Sequence, residues 1–128
     1  MGKHVIQAEG GAKPLGAYSH GWRAGDFIFV TGTGPIDSDG KVVGDTIEEQ
    51  TNKTLDNIEA VLRAEGASLA DVIKVSVHLI DTNLFPRYNA AYKERFSEPY
   101  PARTTVGSDL HQVPGMMIEI EAMAYVGE

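Results

Sequence analysis

The alternation of apolar and polar residues along the chain predicts its strands. A short alternating segment runs from Lys3 to Gln7, and the segment from Trp22 to Thr31 predicts a hairpin that turns at Gly25-Asp26. The cleanest alternation lies between Val72 and Ile80 and predicts a strand with one buried face. The apolar face of that strand would carry Ile73, Val75, Val77 and Leu79, and the polar face Lys74, Ser76 and His78.

Helical spacing of apolar residues predicts a first helix in the middle of the chain. Asp45 and Thr46 are candidate N-caps, and Glu48 stands in the capping-box position relative to Asp45. Gly66 is a candidate C-cap. The stripe that should be buried consists of Ile47, Thr51, Leu55, Ile58, Val61 and Leu62.

A second helix is predicted from about Leu84 to Phe96, where Pro86 is tolerated because it falls in the first turn. The buried side of this helix should be formed by Tyr88, Ala91, Tyr92 and Phe96. Two further strands are predicted from Arg103 to Leu110 and from Met116 to Tyr125.

The resulting order of elements is a strand, a hairpin, a helix, a strand, a helix and two strands. This order favours one α+β domain spanning residues 1–128, with both helices on one face of the sheet. The other face then needs a cover, and a second subunit is the simplest candidate.

Arg103 is the most informative charged residue. It lies in an apolar, β-prone segment with no acidic residue within four positions on either side. Such an arginine either reaches solvent from an exposed strand end or is available to bind an anion. A guanidinium group can hold a carboxylate through two parallel charge-assisted hydrogen bonds.

Glu119 and Glu121 share one face of the last predicted strand. A solvated face is the simplest interpretation, but the same face also carries apolar neighbours, which fit a covered interface better: Met117, Met123 and Tyr125. A hairpin turning near Val113 would place Glu119 opposite Gly107, on the order of 13 Å along the strand from Arg103. A bulge in the connection, or a substrate between the two side chains, could close that gap.

Composition and charge exclude several classes of function. The formal net charge is −7, whereas proteins that bind a nucleic-acid backbone carry a basic patch. The absence of cysteine excludes disulfides and thiolate catalysis. The four histidines lack metal-ligand spacing, so no metal site is predicted. Without a signal-peptide core or a long apolar run, a cytoplasmic protein with neither membrane nor nucleic-acid partners is expected.

Short motifs point to a known family. P-A-R at 101–103 is followed by I-E-I-E-A at 118–122, and weaker matches are G-A-Y at 16–18, V-T-G at 30–32, L-D-N at 55–57 and Y-N-A-A-Y at 88–92. In these motifs the chain resembles the Rid (YjgF-type) family of reactive-intermediate imine and enamine deaminases, from about Lys13 to Ala124. The resemblance implies a chorismate-mutase-like α+β fold, a mixed six-stranded sheet with two helices on one face, and a homotrimer with clefts between subunits.

The resemblance also implies residue roles. In similar proteins the arginine that matches Arg103 binds the substrate carboxylate, and the glutamate that matches Glu119 positions or activates water. The residue that matches Thr105 offers its backbone N–H to the ligand. The remaining residues that line the cleft match Tyr18, Thr31, Gly32, Asn89 and Tyr100. No cofactor is implied, because a 2-imino acid is already electrophilic at C2 and is hydrolysed to a 2-keto acid and ammonia.

Two departures from the family pattern leave the substrate open. Thr105 stands where many imino-acid deaminases of the family carry cysteine, and the interval from Arg103 to Glu119 is one residue longer than in the common enteric type. The alternatives are a 2-aminomuconate-type deaminase, a non-catalytic regulatory trimer that binds small carboxylates and, ranked lowest, an endoribonuclease. The last is disfavoured by the charge of −7 and the lack of an aromatic and basic stripe.

Overall fold

Six strands form one sheet in the computed structural model, which describes residues 2–128. The strands are β1 (Lys3–Ile6), β2 (Gly21–Ala24), β3 (Phe27–Thr33), β4 (Val72–Leu79), β5 (Ala102–Gly107) and β6 (Ile118–Tyr125). Their order across the sheet is β1-β2-β3-β6-β4-β5. The β4–β5 pair is parallel and the other neighbouring pairs are antiparallel. The predicted mixed six-stranded α+β sheet is therefore confirmed.

Two α-helices pack on this sheet, α1 (Ile47–Arg63) and α2 (Phe85–Lys93). All six residues of the predicted stripe of α1 are buried, as are the four predicted for the second helix. The predicted second helix is too long at both ends, because a 3₁₀ turn, Thr82–Leu84, precedes α2 and the α-helix ends at Lys93. Phe96 lies beyond that end and still reaches the core.

Of the two candidate N-caps of α1, the structure uses Thr46, and the capping-box partner differs from the predicted one. Thr46 is the N-cap and forms a capping box with Glu49, with backbone-to-side-chain distances of 3.1 Å in both directions. The backbone N–H of Asp45 also donates to Glu49, at 3.0 Å, and both carboxylate oxygens of Glu48 accept hydrogen bonds from Arg87, at 2.7 and 2.8 Å. The pKa of Glu48 is lowered, chiefly by those hydrogen bonds.

The core lies between the helices and one face of the sheet. Alternate residues of β6 are buried in it: Ile118, Ile120, Ala122 and Ala124. In β4 a register shift between Val72 and Lys74 breaks the predicted alternation. Val72 is therefore buried, and Ile73, which was predicted to face the core, is 46% exposed.

The opposite face of the sheet is uncovered in the single chain. It carries large apolar side chains that are about two-fifths exposed, namely Trp22, Phe27, Phe29 and Val106. An apolar sheet face of this kind is normally covered by another layer. No helix in the described part of the chain has the length and hydrophobicity that a membrane span requires.

The predicted hairpin between the last two strands is wrong. β5 and β6 are not neighbours, because β4 lies between them and pairs with both. Glu119 is opposite His78 in β4, not opposite Gly107. The physical reason is that the α2 crossover places β5 parallel to β4 at the edge of the sheet, so the chain must pass over the end of β4 to begin β6.

Candidate active site

Arg103 lies on the edge strand β5 and points toward α2. Its Nη1 donates a hydrogen bond of 2.8 Å to Asn89 Oδ1. Three aromatic rings surround the guanidinium group, with centroids 5.4, 5.4 and 4.6 Å from Cζ: those of Phe85, Tyr88 and Tyr92. Stacking on rings and one amide contact orient the guanidinium while leaving its positive charge uncompensated.

No carboxylate in the described part of the chain lies within 4 Å of Arg103, which sets it apart from the other arginines. Among residues 2–128, each of the other four arginines has at least one acidic partner at that distance: Arg23, Arg63, Arg87 and Arg95. A half-buried arginine without an anionic partner is the arrangement expected of an anion site.

The groove beside this arginine has a volume of about 430 Å³ and is called the Arg103 groove here. It is lined by Asn89, Tyr92, Lys93, Tyr100, Pro101 and Arg103, with no acidic residue among them. Two of the predicted cleft residues, Asn89 and Tyr100, lie with Arg103 in this groove, and Thr105 lies two residues further along β5. The basic Lys93 was not predicted.

Thr105 presents its backbone rather than its side chain. The Thr105 hydroxyl lies 2.8 Å from the Tyr88 hydroxyl and is occupied by that contact. Ser108 N donates to Leu79 O in the parallel β4–β5 ladder. Because donors alternate along a strand, the N–H groups of Arg103 and Thr105 point away from β4, out of the sheet edge. A ligand at this edge could accept from them.

Tyr92 contributes an unusual hydroxyl to the floor of the Arg103 groove. The residue is 3% exposed, and its hydroxyl has no hydrogen-bond partner of good geometry. Burial raises the pKa of Tyr92 to about 12, against a smaller opposing effect of the Arg103 charge. The phenol is therefore neutral over the whole physiological range.

Glu119 lies on β6, on the uncovered face of the sheet, next to an irregularity in β3. Val30 is opposite Ala122 and Thr33 is opposite Ile120, so Thr31 and Gly32 form a bulge. A Cβ atom at Gly32 would stand 2.8 Å from Glu119 Oε2. Only glycine fits there without displacing the carboxylate. This contact gives a physical reason for the glycine at position 32, which the sequence analysis named as a cleft residue.

A second groove, called the Glu119 groove here, opens at this bulge with a volume of about 410 Å³. It contains all three of the other predicted residues, Tyr18, Thr31 and Gly32, together with Glu119. The Tyr18 hydroxyl accepts a hydrogen bond of 2.9 Å from Leu15 N and so fixes the loop at the rim. The groove is completed by Leu15, Gly16, Gly34, Ile36, Gln112, Val113 and Met116.

Two buried amides on α1 hold the backbone around the Glu119 groove. Asn57 Nδ2 donates to Gly34 O at 2.9 Å and to Ile36 O at 2.8 Å. Gln50 receives Met117 N at 2.8 Å, and its amide nitrogen donates to the carbonyls of Gly44 and Gly115. The sequence analysis did not identify these roles of Gln50 and Asn57. The two residues are polar, lie seven positions apart and stand beside the apolar stripe of α1, and this pattern could have indicated them.

The eight predicted site residues thus fall into two groups that do not meet within one chain. Arg103 pairs with Val75, which pairs with Ala122, whereas Glu119 lies three residues further along β6. Two strand spacings and three residues separate their Cα atoms by about 14 Å. Their side chains also point to opposite faces of the sheet. In the described part of the chain, no group of three histidine or acidic side chains could hold a metal ion.

Comparison with known proteins shows similarity along nearly the whole chain. The sequence profile described as endoribonuclease L-PSP matches residues 10–126. The chain is 46% identical over 127 residues to a RutC family protein of Pyrococcus abyssi, covering 98% of both proteins. It is 31% identical over 126 residues to the 2-iminobutanoate/2-iminopropanoate deaminase of Dermatophagoides farinae, covering 97% of both.

Solved structures agree with these relatives. The Rid family protein YyfA of Yersinia pestis superposes with a TM-score of 0.88 at 31% identity, covering 97% of this chain and 99% of that one. TdcF of E. coli, solved with bound serine, superposes with a TM-score of 0.86 at 27% identity and the same coverage. The six-stranded fold is therefore shared over almost its full length.

Proposed function

This chain belongs to the Rid family, whose members are also called YjgF, RutC or L-PSP proteins, and we propose that it is a deaminase. Its substrates would be 2-imino acids and their enamine tautomers, and its products 2-keto acids and ammonia. The observation that carries the proposal is the division of the site into two incomplete grooves. One offers a cation without an anion, and the other a carboxylate in an otherwise uncharged wall.

The catalytic cleft forms, in this proposal, between subunits of a homotrimer. Arg103 cannot approach Glu119 of the same chain, because the two side chains lie on opposite faces of the sheet. A neighbouring copy that covers the exposed apolar face can bring its Arg103 groove to the Glu119 groove. The exposed Trp22, Phe27 and Phe29 support such a contact, since they are the side chains that it would remove from water.

Arg103 binds and orients the substrate. Its remaining N–H groups donate hydrogen bonds to the substrate carboxylate, while Asn89 and the aromatic rings keep the guanidinium plane fixed. The outward N–H of Thr105 and the nearby Tyr100 add contacts to the same end of the ligand. Catalysis at this end is by positioning, because the carboxylate does not react.

Glu119 acts on water at the other end of the cleft. It takes a proton as the water oxygen forms a bond to C2 of the iminium, which gives a tetrahedral carbinolamine. Glu119 then delivers that proton to the amine and the C2–N bond breaks. The hydroxyl proton passes through the Glu119 carboxylate to the departing ammonia as C2 becomes a carbonyl. One water is consumed and one ammonium ion is released, with no oxidation or reduction. Tyr18, Thr31 and Gly32 shape the wall in which this occurs.

The names of two similar proteins support the same chemistry. The similar protein of Dermatophagoides farinae is named for hydrolysis of 2-iminobutanoate and 2-iminopropanoate. The structure of TdcF contains serine, a small amino acid with a carboxylate. Both names fit a cleft in which a free guanidinium holds a small organic acid.

A second candidate substrate class is favoured by one observation. Lys93 lines the Arg103 groove, so two cations share one groove without an acid. A dicarboxylate enamine of the 2-aminomuconate type could place its second carboxylate beside Lys93. Turnover of such a dicarboxylate, abolished in Lys93→Gln, would establish this candidate.

The decisive experiment measures ammonia released from 2-iminobutanoate generated in situ. We expect Arg103→Ala to lose almost all activity and Arg103→Lys most of it, because an ammonium group keeps the charge but not the two-pronged geometry. Arg63→Ala is the matched control, since Arg63 is exposed and lies in neither groove. Near-wild-type turnover in Arg103→Lys would contradict the assignment, and binding of pyruvate without any turnover would indicate a regulatory carboxylate-binding protein.

A further inference from the structure

The Glu119 groove has a largely apolar wall around one charged side chain, that of Glu119. Among residues 2–128, Glu119 is the only charged residue that lines the groove, and the polar uncharged side chains there are those of Tyr18, Thr31 and Gln112. The aliphatic and thioether side chains among its lining residues are Leu15, Ile36, Val113 and Met116. An uncharged wall of this kind favours an aliphatic group over a charged or strongly polar one.

The apolar residues are held in place around an open space. Leu15 is fixed through its own N–H, which donates to the Tyr18 hydroxyl at 2.9 Å. Met116 is 5% exposed and packs against Gly34, where a Cβ atom would stand 2.6 Å from its sulfur. Glycine at this position lets the Met116 side chain lie in the wall. The shape of the Glu119 groove is therefore set by contacts within the chain and does not depend on a ligand.

From this wall we infer that the groove binds the side chain of the substrate and selects 2-imino acids with long or branched aliphatic side chains, with Leu15 as a specificity-determining residue. The inference rests on the proposed function and adds the substrate class. When C2 lies beside Glu119 and the carboxylate lies on Arg103 of a neighbouring copy, the remaining substituent of C2 enters the Glu119 groove. Its volume of about 410 Å³ exceeds what a methyl or ethyl substituent fills.

Leu15 allows a clean test because it is 48% exposed, so its replacement leaves the core intact. The imines of alanine, 2-aminobutyrate and leucine, and that of glutamate as the charged case, are generated by an amino-acid oxidase, and kcat/KM is measured for each. We expect the wild type to prefer the leucine-derived imine. In Leu15→Gln the ratio of leucine-derived to alanine-derived turnover should fall on the order of tenfold, and Leu15→Met should restore it.

Val43→Gln is the matched control, since Val43 is 38% exposed and lies outside the groove. Its selectivity should equal that of the wild type. Competition by 4-methyl-2-oxopentanoate and by pyruvate gives a readout independent of turnover, and Leu15→Gln should weaken only the former. An unchanged ratio in Leu15→Gln, or a wild-type preference for the glutamate-derived imine, would overturn the inference. Absence of turnover on all four imines would instead contradict the deaminase proposal.

Discussion

Arg103 and Glu119 are the charged groups of two grooves on opposite faces of the same sheet, and they are held by different means. Arg103 is surrounded by side chains, with three aromatic rings and the Asn89 amide around its guanidinium. Glu119 occupies a space created by a missing side chain, since Gly32 leaves room for its carboxylate. One groove depends on contacts that α2 provides, and the other on backbone geometry in β3 and its neighbouring loops.

This difference predicts how each groove tolerates change. A ring or amide can be exchanged for a similar one with partial loss of function, because several groups share the task of orienting Arg103. At Gly32 even the smallest side chain has an effect, because a Cβ atom there would stand 2.8 Å from Glu119 Oε2 and the carboxylate would have to move. The Glu119 groove should therefore be the more sensitive of the two to small substitutions.

The largest effects should come from removing Arg103 or Glu119, and coexpression of the two variants tests whether the two residues act from different chains. Arg103→Ala and Glu119→Gln should each lower kcat/KM roughly 100-fold or more. Coexpressed in equal amounts with different tags, the two variants should regain about a quarter of wild-type activity, because that fraction of intersubunit clefts receives both native residues. Activity of the purified mixed oligomer measures this. No recovery would show that each cleft draws both residues from one chain.

Gly32→Ala should have the next largest effect. The added methyl group displaces the Glu119 carboxylate, and we expect a loss of about 10- to 100-fold in kcat with much less change in the affinity for a 2-keto acid. Gly66→Ala is the contrasting variant and should change stability but not activity. Its added Cβ meets open space, but the φ of +73° strains any residue other than glycine. It should lower the free energy of unfolding by about 1 kcal/mol and leave kcat unchanged.

Asn57→Leu should weaken the Glu119 groove while sparing the Arg103 groove. It leaves the buried carbonyls of Gly34 and Ile36 without their donor, so the free energy of unfolding should fall by about 2–4 kcal/mol. Urea denaturation measures the loss, and kcat should fall several-fold more than the affinity for 2-oxobutanoate. Asn83→Leu is the control, since Asn83 is exposed. Equal losses of kcat and of affinity for 2-oxobutanoate would show that Asn57 supports both grooves and not the Glu119 groove alone.

Tyr92→Phe should give the smallest effect at neutral pH. The hydroxyl has no hydrogen-bond partner of good geometry among the described residues, so its removal should leave the stability unchanged or slightly higher. Tyr88→Phe should instead cost about 1 kcal/mol, because it breaks the contact with Thr105. These two values are read from thermal melts at pH 7.

The same variant has a distinct pH dependence. The pKa of Tyr92 is raised from 10.0 to about 12 in the folded state, so its contribution to stability is complete below pH 10 and is lost as the pH rises toward 12. Wild type should therefore lose more stability than Tyr92→Phe across that interval. Parallel melting curves for the two proteins would contradict the cause assigned to the shift.

Local patterns in the sequence were sufficient to predict the elements of this fold. The apolar stripe of α1 and the alternation in β6 are repeated often enough to predict which residues are buried, and all six predicted stripe residues are. The two site residues with the strongest motifs, Arg103 and Glu119, also fall on strands as predicted. These features depend on neighbours within a few positions along the chain.

Features set by distant parts of the chain could not be predicted. The carboxylate of Glu48 binds Arg87, 39 positions away in the chain, and no local pattern indicates that contact. The position of β4 between β5 and β6 depends on strand pairing between segments that are distant in the chain. Ile73 is exposed because of a register shift that its own sequence does not encode. The close approach of Gly32 and Glu119 likewise joins residues far apart in the chain.

The bulge in β3 has a consequence for how this gene can change. Val30 and Thr33 are both buried although three positions separate them, so deletion of one codon between them would restore a regular strand. Such an allele would encode a chain that keeps its core and its sheet but lacks the recess for Glu119. The extra residue in β3 thus belongs to the groove and not to the core of the sheet.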